Sequence, residues 1–418
     1  MQANTIEDAL RIFDPHYPLL EEDDIKAYYV ERDNSPLAEI KTILKTDTGF
    51  PKVLLSGAPG CGKSTELGKL KQDLKKEFHT ILLSAKSFTN NFELNVDNLI
   101  SKILKEIAEI AQKEKLKDQK EKIDKFFQLG YGWELNAEVT ITVKGGKGKD
   151  ILPDKVLIDK FSAEKSEHED VLKHVFKKTS KPGIGDVIKL INETIDEIDL
   201  KSKKDVLVLI TDMDKISLAN AKDIFTKSLQ NLTKIQCFMA YTFPLLLKYT
   251  QEFINAYHNF NGIYYLPNFD VFDQNDKPNE SSRKKLKEII SKRMPQKLIY
   301  PEAIDLIIER SGGVVYELVR LVRESCIVAL KAKLNYIDEE FVADAEERIR
   351  RVYQSVYSDQ DKKELLKIRQ NKKIIDNEAR EKLLQHYSFT EYGTGEDIWY
   401  DVNPILFPIL EDFDPEEE

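Results

Sequence analysis

The sequence predicts an α/β fold with a parallel sheet, followed by a helical domain and a small C-terminal domain, and three observations carry the prediction. Apolar runs at 52–56, 80–85, 205–210 and 235–240 have strand length but lack the alternation of a half-exposed sheet. Strands that are apolar throughout are those buried on both faces, as in parallel sheets. Between these runs, apolar residues recur at three- and four-residue spacing, which marks amphipathic helices. Directly after the first run stands Gly57-Ala58-Pro59-Gly60-Cys61-Gly62-Lys63-Ser64, a glycine-rich strand-to-helix turn.

Ala27-Tyr28-Tyr29-Val30 and Arg32 precede a helical stretch at 36–44. This segment either packs against a bound base or simply caps the sheet. After the first strand and the glycine-rich octet, 65–78 has Leu67, Leu70 and Leu74 on one face and no proline, so it reads as a helix. The strand at 80–85 is followed by a helix through Val96, Leu99, Ile103 and Ile110. Residues 115–200 read as an insertion. It opens with a Lys/Glu-rich solvated helix and has an alternating strand at 133–143. The glycine- and lysine-rich turn at 145–149 is either a mobile solvated loop or a nucleic-acid contact. The helix through Ile184, Ile188, Ile191 and Ile195 then leads into the strand at 205–210.

The octet fits G-x-x-x-x-G-K-[ST], the phosphate-binding loop, in the strand–loop–helix setting the motif requires. Glycines let the backbone wrap a phosphate chain, and the loop N–H groups and helix N-terminus face its negative charge. Lys63 is expected to reach the β- and γ-phosphates and Ser64 to ligate Mg²⁺, with Gly57, Ala58, Pro59, Gly60, Cys61, Gly62 and Thr65 completing the nucleotide-binding set. A second signal is the acids that close the strand at 205–210, Asp212 and Asp214. Ligands of open α/β sheets bind at the carboxyl ends of the strands. One carboxylate there, Asp212, is expected to hold Mg²⁺ through water, and Asp212, Asp214 and Lys63 are the candidate catalytic residues. Thr242, in Tyr241-Thr242-Phe243-Pro244, either senses the γ-phosphate or belongs to a strand stopped by proline.

From 281 to 351 the pattern is helical, broken by Ser311-Gly312-Gly313 before a new helix that contains Tyr316, Arg320 and Arg323. Short helices follow from about 358. The segments 389–392 and 398–402 flank Gly393-Thr394-Gly395, a hairpin signal, and helices followed by a hairpin suggest a winged helix. The expected partition is a nucleotide-binding core at 1–280, a helical lid at 281–354, and a winged helix with an acidic tail at 355–418.

Taken in this order, GAPGCGKST, LVLITDMDKI, AYTFP, SGGVVYELVRLVR and WYDVNPILFPIL resemble an AAA+/STAND-type P-loop ATPase of bacteria, with a helical lid and a C-terminal winged helix. The resemblance implies ATP and Mg²⁺ as cofactors and ATP-driven switching through oligomerisation or a protein partner, often in signalling or phage defence. It also exposes two departures. Thr211 takes the place where relatives carry the Mg²⁺-associated Asp, and Tyr316 stands where they often place a lid Arg, so Arg320 or Arg323 would substitute. The alternatives are a DNA-binding initiator or loader, and a nucleotide-stabilised scaffold with little hydrolysis.

With 63 basic and 73 acidic side chains, the balance makes no general case for nucleic acid or an anionic membrane as partner. From Ser388 to Glu418 there are ten acidic residues and no Lys or Arg, which argues against a wing that approaches phosphates. Cys61, Cys237 and Cys326 are isolated and imply neither disulfides nor zinc. His168 and His174 lie on different helix faces and do not make a metal site. There is no signal-peptide core and no stretch of membrane-span length, so a soluble, cytoplasmic protein is expected.

Overall fold

The computed structural model describes residues 2–88, 95–128, 183–354, 356–374, 383 and 387–413. Five strands, β1 (Lys52–Ser56), β2 (Phe78–Ser84), β3 (Asp205–Thr211), β4 (Phe238–Thr242) and β5 (Gly262–Tyr265), form one sheet in the order β2-β3-β4-β1-β5. Every pairing is parallel. β1 and β4 are buried along their whole length, which explains why they read as unbroken apolar runs.

Alternate residues of each strand feed opposite faces. Leu54, Val208, Ile210, Met239 and Tyr241 face one helical layer, formed by α5 (Val96–Lys113) and the helix Ile184–Ser202. Val53, Leu55, Leu207, Leu209 and Ala240 face the other, formed by α3 (Leu37–Thr46) and α4 (Lys63–Leu74). Two short N-terminal helices, α1 (Ile6–Ile12) and α2 (Glu22–Tyr28), precede α3. Lys117–Gln128 forms α6, and Ile184–Ser202 is α7. α7 belongs to the sheet's own helical layer, since Val187, Ile191 and Ile195 are buried in the core with Val208. Its amphipathic stripe places it there, so the expected insertion at 115–200 overreaches at its end. The strand expected at 133–143 and the turn at 145–149 lie outside the described residues, as do His168 and His174. β5 was not expected from the sequence; its four residues are all only half-buried at the sheet edge.

The helical domain consists of α8 (Glu280–Ser291), α9 (Pro301–Arg310), α10 (Val315–Ala332) and α11 (Glu339–Gln354). Their core includes Leu286, Ile307, Leu318 and Val342, and also Ile6, Ala9 and Phe13. Helix α1, whose N-terminus Thr5 and Asp8 close with a capping box, therefore packs with the helical domain and not with the sheet. α12 (Asp359–Asn371) and the antiparallel hairpin of β6 (Phe389–Tyr392) and β7 (Trp399–Val402) make the C-terminal unit. Ala58 of the glycine-rich loop and Leu245 beyond β4 sit in that unit's core beside Leu365, Phe389 and Leu406. The three units thus meet at the carboxyl ends of the strands. Among the described residues, no helix is long and apolar enough to cross a membrane.

Candidate nucleotide-binding site

β1 delivers Gly57 to the carboxyl edge of the sheet, and α4 begins six residues later at Lys63. Gly57 (φ 154°) lies where a Cβ would come within 2.4 Å of the Leu266 carbonyl oxygen. Gly62, the N-cap of α4, has φ 107°, a conformation that only glycine adopts without strain. The octet therefore folds as its composition anticipates, with a helix N-terminus opening onto the loop. The Lys63 ammonium donates to the carbonyls of Gly57 and Ala58, at 2.9 Å each, and pairs with Asp214 Oδ2 at 3.0 Å. Lys63 is 4% exposed, and burial works against its charge; Asp214, together with the nearby Cys61 and Tyr387, outweighs this and holds the ammonium above its ordinary pKa. Ser64 and Thr65 follow on the first turn of α4 and line the same cavity. Cys61 Sγ lies 3.9 Å from Lys63 Nζ.

Arg32 braces the loop from below. Its guanidinium donates to the Cys61 carbonyl at 2.7 Å and to the Pro267 carbonyl, and lies 4.1 Å over the Phe269 ring. It ties the N-terminal segment, the loop and the exit of β5 into one unit.

β3 ends at Thr211, and Asp212 adopts a left-handed conformation (φ 62°) that starts the turn Met213–Lys215. Neighbouring strand residues point to opposite faces, but the strand has ended before Asp212, so the turn and not strand alternation sets where the two acids point. Asp214 is brought to Lys63; Asp212 is not. Asp212 Oδ2 accepts from Ser84 Oγ at 2.6 Å and from Thr211 Oγ1 at 3.2 Å, and Oδ1 accepts from Lys215 Nζ at 2.5 Å. Burial opposes the charge of Asp212, but the Lys215 and Ser84 hydrogen bonds keep its carboxyl below the usual range. Thr242 does not reach the cavity either, since its hydroxyl accepts the Met213 N–H at 2.9 Å. Asp214 Oδ1, in contrast, is buried with no hydrogen-bond partner among the described residues.

The loop, the turn and the helical domain line a cavity of about 840 Å³, a size that suits a nucleotide. Tyr28, Tyr29 and Val30 line it, as do Ile289 of α8 and Arg293 just beyond it. The wall facing the loop is aromatic. Tyr316 donates its backbone N–H to the Gly60 carbonyl at 3.1 Å, meets His16 edge-on at 5.7 Å and stacks on Tyr387 at 5.7 Å. Tyr387 comes from the C-terminal unit and is close enough for the charges of Lys63 and Asp214 to bear on its hydroxyl, whose pKa burial pushes up. Arg320 is not part of the cavity. Its guanidinium is taken up by Glu317 Oε1 at 3.4 Å and the Tyr353 hydroxyl at 3.3 Å. Sequence reasoning passed over His16, Arg293, Lys86 and Tyr387, none of which stands in a motif.

No family model matches the sequence, and no curated protein does. Solved structures with a similar course include a RuvB Holliday junction branch migration motor of Thermotoga maritima, at 12% identity with a TM-score of 0.40, covering 95% of this chain and 98% of that one. The Walker-type ATPase PABY2304 of Pyrococcus abyssi is 13% identical with a TM-score of 0.49, covering 96% and 99%. The ORC2 protein of Aeropyrum pernix, solved as ADPNP–ADP complexes, is 10% identical with a TM-score of 0.43, covering 96% of each chain. At these scores the likeness is one of general course, and the chemistry of the cavity rests on its own residues.

Proposed function

We propose that this chain is an ATP-binding, Mg²⁺-dependent P-loop ATPase that works as a nucleotide-dependent switch. The observation that carries the reading is the Lys63–Asp214 pair, 3.0 Å apart at the mouth of a glycine-rich loop where β1 meets α4. A triphosphate in that loop offers the Lys63 ammonium charged oxygens in place of two neutral carbonyls, and charge-assisted hydrogen bonds are the stronger ones. The N–H groups of the loop and of the first turn of α4 face the same phosphates. The cation fits the donors present: Ser64 Oγ and the unpartnered Oδ1 of Asp214 are the groups that would hold it, while both oxygens of Asp212 are engaged. Mg²⁺, when bound, supplies neutralisation of the β- and γ-phosphate oxygens. Asp214 is then the acid that serves the reaction, and Asp212 serves the turn.

The switch reading follows from where the cavity lies. Its walls come from the sheet, the lid and the C-terminal unit, so a ligand that binds between them biases how they pack. A protein partner, or further copies of this chain, would read that change; signalling or phage defence is the setting that the family resemblance suggests. We read the C-terminal unit as a winged helix turned to protein contacts and not to DNA. Arg369 of α12 and Lys372 at its C-cap are both bound to Asp401 and Asp276, which neutralises these two described cations beside the hairpin. A scaffold reading, with binding but negligible turnover, is favoured by the engagement of Asp212. Mg²⁺-dependent ATP binding and single-turnover hydrolysis by the native chain, Lys63→Ala and Asp214→Asn separate the readings. The ATPase reading requires binding lost in Lys63→Ala and cleavage lost in Asp214→Asn. Tight binding without cleavage in the native chain would leave the scaffold, and no binding would end both.

A further inference from the structure

Three residues that the sequence nominated for the phosphates or the metal are engaged elsewhere, and two of them share one task. Thr242 holds the Met213 N–H, and Asp212 holds the Lys215 ammonium while Ser84 anchors Asp212 from β2. The backbone closes the same turn, with the Lys215 N–H donating to the Asp212 carbonyl at 3.1 Å. The turn Met213–Lys215 is thus fixed from β2, β3 and β4 at once. It presents two consecutive charges to the cavity: Asp214, directed at Lys63, and Lys215, which lines the rim with Lys86. Arg320 is committed to Glu317 and Tyr353, and Arg32 to backbone carbonyls beneath the loop. Besides Lys63, the described cations that line the cavity at the strand ends are Lys86 and Lys215.

We propose that Lys215 reads the γ-phosphate, and that Asp212 and Thr242 are positioning residues for the turn that carries it. The inference rests on the nucleotide reading above and deepens it. A terminal phosphate adds charge at the far end of the triphosphate from the base, beyond Lys63, where the carboxyl ends of β3 and β4 lie. A lysine is suited to the task because its ammonium is a compact charge on a flexible stem, free to turn from Asp212 toward a phosphate within reach. The remaining carboxylate keeps its hydrogen bonds from Ser84 and Thr211, so the turn keeps its shape when the ammonium leaves.

The test compares equilibrium binding of ADP with that of the non-hydrolysable analogue adenylyl imidodiphosphate, both with Mg²⁺, to the full chain. Lys215 is 41% exposed, and Asp212 keeps its Ser84 and Thr211 hydrogen bonds without it, so Lys215→Ala should fold, which the melting temperature checks. Lys215→Ala should weaken the analogue about tenfold, the scale of one charge-assisted contact, and leave ADP within about twofold. Lys215→Arg should restore most of the preference. Asp212→Ala should reproduce part of the loss, and the double variant should be no worse than Lys215→Ala alone. Equal affinities for the analogue in native chain and Lys215→Ala would overturn the inference. So would an Asp212→Ala variant that weakens ADP and analogue alike and raises the Mg²⁺ requirement, since that is the signature of a metal ligand. If the native chain binds neither nucleotide, the proposed function itself fails and the inference falls with it.

Discussion

One wall of the cavity is a single segment, Gly57 to Ser64, in which backbone groups and adjacent side chains do the holding; the facing wall is assembled from His16, Arg293, Tyr316 and Tyr387, which lie far apart in the chain. The first wall depends on local rules: a buried strand, positive φ at Gly60 and Gly62, and a helix N-terminus. The second depends on three units being packed in register, with α10 starting over Gly60 and the hairpin unit placing Tyr387 behind Tyr316. Local walls are robust to changes elsewhere in the molecule. Assembled walls transmit them, which is where a switch gains its leverage.

The largest effect should come from breaking the buried ion pair that anchors the local wall to the turn after β3. Lys63→Ala leaves Asp214 buried and unpaired, and should cost about 3–5 kcal/mol of stability in denaturant titration. Lys63→Ala with Asp214→Ala should recover most of that stability, yet still bind no ATP. A double variant no more stable than the single one would show that the pair is not the source of the cost.

The assembled wall is broken most directly at Gly313, whose left-handed residue (φ 79°) sets the start of α10; a Cβ there would sit 1.8 Å from the Phe269 carbonyl oxygen. Gly313→Ala should cost about 3 kcal/mol, because backbone cannot move aside cheaply. Gly395, with φ 63° and open space around the position a Cβ would take, is the control. Gly395→Ala should cost only about 1 kcal/mol, the conformational share alone. Equal costs at the two sites would mean that the packing of the α10 start is unimportant. A smaller effect is expected at the stack itself. Tyr387→Ala should lose about 2 kcal/mol, of which the ring–ring contact with Tyr316 is about 0.5–1.5, and Tyr387→Phe should lose little.

The same contrast decides what was legible in the sequence. The sheet strands β1, β3 and β4, the octet and the hairpin follow from apolar runs, motif spacing and turn residues, because each is specified within a dozen residues. The partners of Asp212, Thr242 and Arg320 were not legible because each lies elsewhere in the chain: Ser84 on β2, the Met213 N–H beyond β3, and Tyr353 on α11. Linear spacing can say that an acid ends a strand. It cannot say that a left-handed residue turns the first acid away and the second one in. Tyr387 carried no signal at all, since its place depends on how the C-terminal unit docks. β5 was missed because a half-buried edge strand of four residues lacks both the apolar run and the alternation that mark the others.

The smallest effect tests the seam where the two walls join. Asp270, in the segment after β5, is half-buried, with Oδ1 unpartnered among the described residues, and burial raises its carboxyl pKa to about 6 although Arg32 pulls it back. The folded chain therefore holds a proton on Asp270 more tightly than the unfolded chain, where the value is about 3.9. The stability this contributes is fully present below pH about 4 and is lost as pH rises through about 6. Asp270→Asn removes that slope. After allowance for its partial exposure, the variant should gain about 1 kcal/mol over the native chain between pH 4 and pH 7.5. Glu66 and Glu317, also raised by burial, give slopes of the same sign, but these cancel in the difference between the two proteins. The measurement is the melting temperature of both chains across that range. A variant that instead loses ground as pH rises would show that Asp270 acts chiefly as a counter-ion to Arg32, and that the brace under the loop relies on charge more than on the Cys61 and Pro267 carbonyls.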